Sequence, residues 1–153
     1  KNDPITITDP EMTRFLMSLD DSVDLVTYAF KNCNQGDIFV QKSPACTVSI
    51  LAEALKKIFN SNVETKIIGT RHGEKLYESL LSREERAKAI ELEKYYQVPM
   101  DSRDLNYESF FNKGALSTAE FEEYTSHNTT RLDVDEVVSI LLKLDKVKEA
   151  IGA

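Results

Sequence analysis

The chain has 153 residues, of which 41% are hydrophobic and 29% charged, a make-up typical of a globular fold that buries about 68–70% of the surface its extended chain would expose. Its 26 acidic residues outnumber 19 basic ones, leaving a net charge of −7, which opposes non-specific binding to nucleic acid or anionic lipid. No apolar run approaches the length that spans a bilayer, so a cytoplasmic location and no membrane partner are expected. Cys33 and Cys46 form no CxxC pair and His72 and His127 are the two imidazoles; zinc-type spacing is therefore absent, no metal is expected, and both cysteines read as reduced and structural. The start, Lys1-Asn2-Asp3-Pro4-Ile5, has neither an initiator Met nor an apolar leader, and reads as neither a signal peptide nor a natural beginning. The sequon Asn128-Thr129-Thr130 would matter only in a secreted protein.

In chain order, Ile5 to Thr8 alternates β-branched residues ahead of Asp9-Pro10, and Thr13 to Leu19 is a second extended run. Asp20 and Asp21 then cap a helix through about Lys31, with Val23, Val26 and Phe30 at helical spacing and Asn34-Gln35-Gly36 as its stop. Ile38 to Val40 reads as a short buried strand. Ser43 to Thr47 reads as a loop ending in an N-cap, followed by a helix whose apolar face is Val48, Leu51, Ala52, Leu55, Ile58 and Phe59. Asn60-Ser61-Asn62 ends it, and Val63 to Ile68 makes another strand.

A tight loop, Gly69-Thr70-Arg71-His72-Gly73, precedes a helical pattern from Glu74 to Leu81, and Ser82 with Glu85 is a capping box opening a further helix to about Leu92. Tyr95 to Pro99 reads as extended, and residues 101 to 114, with Tyr107, Phe110 and Phe111, as a segment laid over a surface. Ser117 with Glu120 repeats the capping-box pattern, and Asp133 with Glu136 starts a final helix with an apolar face at Val137, Val138, Leu141, Leu142 and Leu144. Strands and helices alternating through residue 81, followed by a helical tail, define an α/β class.

Chemistry concentrates between Val63 and Glu85. A strand running into Gly69 to Lys75 and then into a helix suits a diphosphate: Arg71 offers a planar, permanently charged fork, the helix start offers free N–H groups, Glu74 accepts from ribose hydroxyls, and Lys75 adds charge. On the residues alone, the preferred reading is that Gly69 and Gly73 merely shape a turn beneath a solvated cluster of Arg71, Glu74 and Lys75. Arg14, inside Met12-Thr13-Arg14-Phe15-Leu16-Met17, reads either as an outward-facing edge residue or as a cation that is paired or faces a ligand.

Three segments, Thr8-Asp9-Pro10-Glu11-Met12-Thr13-Arg14-Phe15, Arg71-His72-Gly73-Glu74-Lys75-Leu76-Tyr77-Glu78 and Tyr124-Thr125-Ser126-His127-Asn128-Thr129, together resemble bacterial UDP-N-acetylglucosamine 4,6-dehydratases. The likeness is to the 5-inverting dehydratase/epimerase group, of the extended short-chain dehydrogenase/reductase superfamily, that begins UDP-N-acetyl-L-fucosamine synthesis for capsule or O-antigen. It covers nearly all of the chain and implies the carboxy-terminal, substrate-binding lobe, with residues 1–92 as the lobe and 93–153 as a helical extension that packs on the main body or on a neighbouring subunit of a homo-oligomer. By the same resemblance Arg14 and Arg71 contact the UDP diphosphate and Glu74 the uridine ribose, with Lys75 in the same loop. The dehydratases often have Pro where this chain has His72. His127 is read as a satisfied structural histidine rather than a general base.

The superfamily's hydride chemistry needs a Gly-rich strand-to-helix turn for NAD(P), which the five glycines, at 36, 69, 73, 114 and 152, do not build. No Tyr or Met is followed four positions later by Lys. No catalytic residue and no cofactor site are therefore expected in this chain, whereas the resemblance implies NADP in a full-length parent that oxidises the sugar at carbon 4, eliminates water across carbons 5 and 6 and returns the hydride to carbon 6. The amino-terminal Rossmann half that would carry those steps is expected as a partner to this lobe. The competing readings are the same lobe of a nucleotide-sugar 4-epimerase, and a non-catalytic binding or assembly module.

Overall fold

A computed structural model describes residues 3–100 and 121–152. In chain order the elements are β1 (Ile5–Ile7), β2 (Thr13–Phe15), α1 (Leu19–Asn32), β3 (Ile38–Gln41), β4 (Ala45–Thr47), α2 (Val48–Ile58), β5 (Thr65–Ile67), β6 (Ser79–Leu81), α3 (Arg83–Lys88), β7 (Ile90–Glu91), β8 (Tyr95–Val98), β9 (Tyr124–Thr125), α4 (Val134–Leu141) and α5 (Asp145–Ile151). The class is α/β, as the alternation predicts. The expected surface segment at 101 to 114 and the capping box at Ser117 lie outside the described residues. Among those residues no helix is long and apolar enough to cross a membrane.

These elements fall into two compact units, each assembled from separate stretches of chain. One holds residues 3–18, 43–78 and 126–152; the other holds 19–42, 79–100 and 121–125.

In the first unit β1 and β5 pair in parallel, with Ile5 opposite Thr65 and Ile7 opposite Ile67, and Ile68 N–H extends the ladder to the Ile7 carbonyl at 2.8 Å. Between β1 and β2 the chain turns on Asp9, whose carboxylate accepts from Glu11 N–H at 2.8 Å, the local bond that makes Asp-Pro a turn signal. β2 then pairs antiparallel with β4, Arg14 lying opposite Cys46. Residues 45–47, expected as loop, are therefore strand, and all are buried: the ladder to a segment some thirty residues away supplies bonds that local pattern does not reveal. Thr47 is the expected N-cap of α2, its side chain accepting from Ile50 N–H at 3.1 Å.

The core of this unit is Cys46, Ala54, Leu132 and Val137, with Leu16, Ile50, Leu51, Val134, Val138, Ile140 and Leu141 packed around it. Ala54 is wholly buried whereas Phe59, an expected member of the apolar face, is exposed. A methyl at 54 brings α2 close to α4, and close helix approach needs small side chains at the contact. α4 begins on the expected capping box: Asp133 accepts from Glu136 N–H and Glu136 accepts from Asp133 N–H, each at 2.9 Å. It ends at Leu141, and a separate helix, α5, follows.

The second unit has a three-stranded sheet in the order β3-β8-β7 and a two-stranded pair β6-β9, all antiparallel. α1 spans the expected residues, but Val23, Val26 and Phe30 are exposed. Tyr28 makes the packing contacts instead, with ring centroids 5.6 Å from Phe39 and 4.5 Å from Tyr95. Helical spacing therefore predicts the element correctly and its covered face incorrectly. Beyond α1, the Asp37 carboxylate accepts from Asn34 N–H at 2.9 Å and Gln97 Nε2 at 2.6 Å, and these bonds, Asn34's foremost, hold it below the usual carboxylate range.

The helix expected from Glu74 to Leu81 does not form. Residues 79–81 are β6, paired with β9, and Leu81 is 2% exposed. In the stretch before them, polar backbone groups that a helix would pair locally are engaged far along the chain. The Leu76 carbonyl accepts from Thr13 N–H at 2.9 Å, and the Glu78 carbonyl from Ser126 N–H at 2.8 Å. Each backbone group satisfied at long range is one fewer for an i to i−4 ladder. The Ser82–Glu85 capping box is present and opens α3, but α3 stops at Lys88 rather than near Leu92 because Ile90 and Glu91 leave it to pair with Gln97 and Tyr96. Lys42 Nζ bonds Glu91 at 2.8 Å, and that bond, above all, lowers the Glu91 pKa.

Both thiols are free, Cys33 exposed and Cys46 buried, and burial pushes the Cys46 pKa up. Because the thiolate is the reacting species, a thiol reagent should label Cys33 in the native protein and reach Cys46 at least about a hundredfold more slowly. Intact-mass spectrometry would show a single adduct before denaturation and a second after it. Equal labelling rates would contradict the buried environment of Cys46.

Candidate functional site

The four residues singled out by sequence, Arg14, Arg71, Glu74 and Lys75, all belong to the first unit. The loop that carries three of them leaves β5 through Gly69 and reverses at Gly73, whose φ values of 81° and 80° lie in the left-handed region where a side chain is disfavoured. Between them Glu74 N–H donates to the Arg71 carbonyl at 3.1 Å and Arg71 N–H donates to Glu74 Oε2 at 3.1 Å. The pair closes residues 71–74 into a turn through both backbone and carboxylate.

That turn revises part of the sequence reading. No helix starts at Glu74, so the expected row of free N–H groups is missing. Glu74 has one carboxylate oxygen engaged with the loop itself, which leaves Oε1 to accept from a ligand. Arg71 and Lys75 are exposed, and among the described residues their side-chain cations have no ion-pair partner.

Arg14 is held very differently. Its Nη1 donates to the Thr13 carbonyl at 2.7 Å, and its Nη2 to the Lys75 carbonyl at 3.1 Å and to Met12 Sδ at 3.0 Å. Nε lies 3.6 Å from Glu78 Oε1, with the Arg14 side chain 30% exposed. It is thus a half-buried, paired cation rather than an outward-facing edge residue, and it ties β2 to the loop that carries Arg71, Glu74 and Lys75. A guanidinium has five N–H donors in a planar fork, so these contacts leave one Nη1 N–H over for an anion.

Four further residues belong to this constellation although the sequence reading gave them no binding role. Glu78 neutralises Arg14 in part. Thr13 and Ser126 are fully buried, with Thr13 Oγ1 2.7 Å from Ser126 Oγ and 2.7 Å from His127 Nδ1. His127 thus has a hydrogen-bonded nitrogen and also stacks on Tyr77 at 4.9 Å between ring centroids. The signal was present in the sequence only as shared membership of the three motif segments.

Among the described residues no group of three or more His, Cys, Asp or Glu side chains could hold a metal ion. The described glycines, 36, 69, 73 and 152, occupy isolated turns with positive φ, none of them between a strand and the first turn of a helix. They do not fit the pyrophosphate of a dinucleotide, which sits on a Gly-rich turn at a helix N-terminus.

A solved structure described as Pen from Bacillus thuringiensis superposes with a TM-score of 0.70 at 26% identity, over 91% of this chain and 40% of that one. The fold is accordingly the mixed α/β of the carboxy-terminal portion of an extended short-chain dehydrogenase/reductase. Residues 1–100 match the family described as polysaccharide biosynthesis protein and residues 101–148 its carboxy-terminal companion. The chain belongs to the polysaccharide biosynthesis protein family.

Its curated relatives include a UDP-glucose 4-epimerase of Rickettsia rickettsii, 63% identical over 145 residues, which are 95% of this chain and 42% of the relative. Another, from Rickettsia bellii and of the same name, is 61% identical over 149 residues, or 97% of this chain and 44% of the relative. The chain therefore spans less than half the length of these relatives.

Proposed function

We propose that this chain supplies the UDP-binding lobe of an enzyme that modifies a UDP-linked sugar in polysaccharide biosynthesis. The observation that carries the reading is the bond from Arg14 to the Lys75 carbonyl. It joins a half-buried guanidinium to a loop whose own cations, Arg71 and Lys75, have no described partner, in a protein of net charge −7. Cations assembled from two separated stretches against the overall charge suit paired phosphates. In this reading Arg14 and Arg71 grip the diphosphate, Glu74 Oε1 accepts from the ribose, and Lys75 adds a further positive charge.

Hydride and proton transfer are assigned to the rest of the enzyme, where NADP would be held; this lobe binds and orients. Two reactions fit, because both start by removing hydride from carbon 4. The motif segments resemble 4,6-dehydratases acting on UDP-N-acetylglucosamine, and the names of the Rickettsia relatives favour a 4-epimerase. Mass spectrometry of UDP-N-acetylglucosamine and UDP-glucose incubated with the full-length enzyme separates them: a dehydratase product has lost one water, and an epimerase product keeps the substrate mass.

The binding claim is tested on the chain itself by calorimetric titration of UDP. Arg71→Ala should weaken binding by about 1.5–3 kcal/mol, the usual worth of a charge-assisted contact, which is roughly ten- to a hundredfold in Kd. The melting temperature should stay put, since the Arg71 side chain is exposed and bonds nothing described. Equal affinities would remove Arg71 from the site.

A further inference from the structure

Next to Arg14 lies a continuous chain of hydrogen bonds. Glu78 N–H donates to Ser126 Oγ at 2.9 Å. Ser126 Oγ is 2.7 Å from Thr13 Oγ1, which is 2.7 Å from His127 Nδ1. Each hydroxyl has one proton to give. The bonds are satisfied in either direction: Ser126 donates to Thr13 and Thr13 to His127, or His127 Nδ1–H donates to Thr13, Thr13 to Ser126, and Ser126 to the Thr13 carbonyl at 3.3 Å. Two buried hydroxyls, both at 0% exposure, thereby connect a backbone amide to an exposed ring.

Backbone bonds run alongside. Ser126 N–H donates to the Glu78 carbonyl at 2.8 Å and Thr13 N–H to the Leu76 carbonyl at 2.9 Å. Segment 75–78 is consequently held at Lys75 by Arg14, at Leu76 by Thr13 and at Glu78 by Ser126. It is the same segment whose Lys75 carbonyl and Glu78 carboxylate fix the Arg14 guanidinium.

We propose that Thr13, Ser126 and His127 form a latch that positions the Arg14 guanidinium, through segment 75–78, to receive the diphosphate of a nucleoside diphosphate. The residues are positioning residues: none needs to touch the ligand. The inference rests on the UDP-binding reading and extends it to groups 113 and 114 residues apart in the sequence. A supporting shell of this kind decides whether a binding group is held within a fraction of an ångström of its working geometry.

The test uses the whole chain, with UDP and uridine as probes in calorimetry and amide exchange by NMR as an independent readout. Thr13→Val keeps the shape and removes the hydroxyl. It should lower UDP affinity by roughly tenfold while uridine affinity changes by less than about twofold, because only the diphosphate meets Arg14. Thr13→Ser should restore UDP binding to within about twofold, and the Glu78 amide should exchange roughly tenfold faster in the Val variant. Should Thr13→Val fail to fold, His127→Phe at the exposed end keeps a ring against Tyr77, removes the ring nitrogen and gives the same readouts. Unchanged UDP affinity in a folded variant overturns the proposal, as does an equal loss for uridine, which would mark a general structural role. A wild-type chain that binds no UDP overturns the binding reading; the latch is then upheld by faster Glu78 exchange in the variant and refuted by unchanged exchange.

Discussion

Val137→Asp is expected to unfold the unit built on α2 and α4 at neutral pH, whereas Val137→Ala should leave it folded and less stable by about 2 kcal/mol. Val137 is 0% exposed and packs in one cluster with Cys46, Ala54 and Leu132. None of those neighbours offers a side-chain cation, and although Arg131 acts on the Cys46 thiol from outside the cluster, a carboxylate placed there is desolvated with no partner inside it. Such a charge costs several kcal/mol, comparable with the 5–15 kcal/mol that typically separates folded from unfolded states. The Ala variant removes only the transfer energy of the lost carbons plus a residual cavity. Circular dichroism and thermal melting distinguish the outcomes: loss of helical signal for Asp, and a melting temperature lowered by several degrees for Ala. A Val137→Asp protein that melts like wild type would refute the packing of α4 on α2.

The second large effect is expected at Arg14, where stability and ligand binding should change together. Arg14→Ala removes the bonds to the Thr13 and Lys75 carbonyls and the ion pair with Glu78. With Arg14 30% and Glu78 46% exposed, the ion pair alone is worth at most about 1 kcal/mol after solvent screening. The two bonds from a charged donor carry more. UDP affinity should fall roughly a hundredfold, because the variant loses both a phosphate-facing cation and the anchor of the loop. Arg14→Lys should recover little of it: an ammonium keeps the charge but lacks the planar fork that reaches the Thr13 and Lys75 carbonyls together. The contrast with Arg71→Ala is diagnostic, since there affinity should fall without a change in melting temperature. An Arg14→Ala protein with wild-type UDP affinity would defeat the proposed binding mode.

Local signals in the sequence were accurate where the physics is local. The Ser82–Glu85 and Asp133–Glu136 capping boxes close as the pattern requires, and Thr47 caps α2, because the donors and acceptors involved lie within one turn of each other. The same reasoning fails from Glu74 to Leu81, a stretch with a helical pattern whose carbonyls and amides are satisfied by Thr13 and Ser126. It fails again at Ala45 to Thr47, where strand pairing with Thr13 to Phe15 overrides the loop signal of Ser43-Pro44.

For the candidate site, the charged positions were legible because guanidinium and ammonium groups in an acidic chain are conspicuous by type. Their attachment was not. Nothing in the spacing of Glu78 and Ser126 foretells that a backbone bond and a bond to the Ser126 hydroxyl join them, nor that Thr13 bridges Ser126 to His127.

By itself, then, the sequence determined the α/β class, the caps at Thr47, Ser82 and Asp133, most helix positions and the cations of the candidate site. Only the tertiary structure decided which helix faces are covered, that residues 74–78 form a loop rather than a helix, and that Arg14 is tied to that loop. The division follows from range: propensity and capping act over a few residues, whereas buried backbone groups and half-buried charges take whichever partners the fold brings within hydrogen-bonding distance, however far away they lie in the chain.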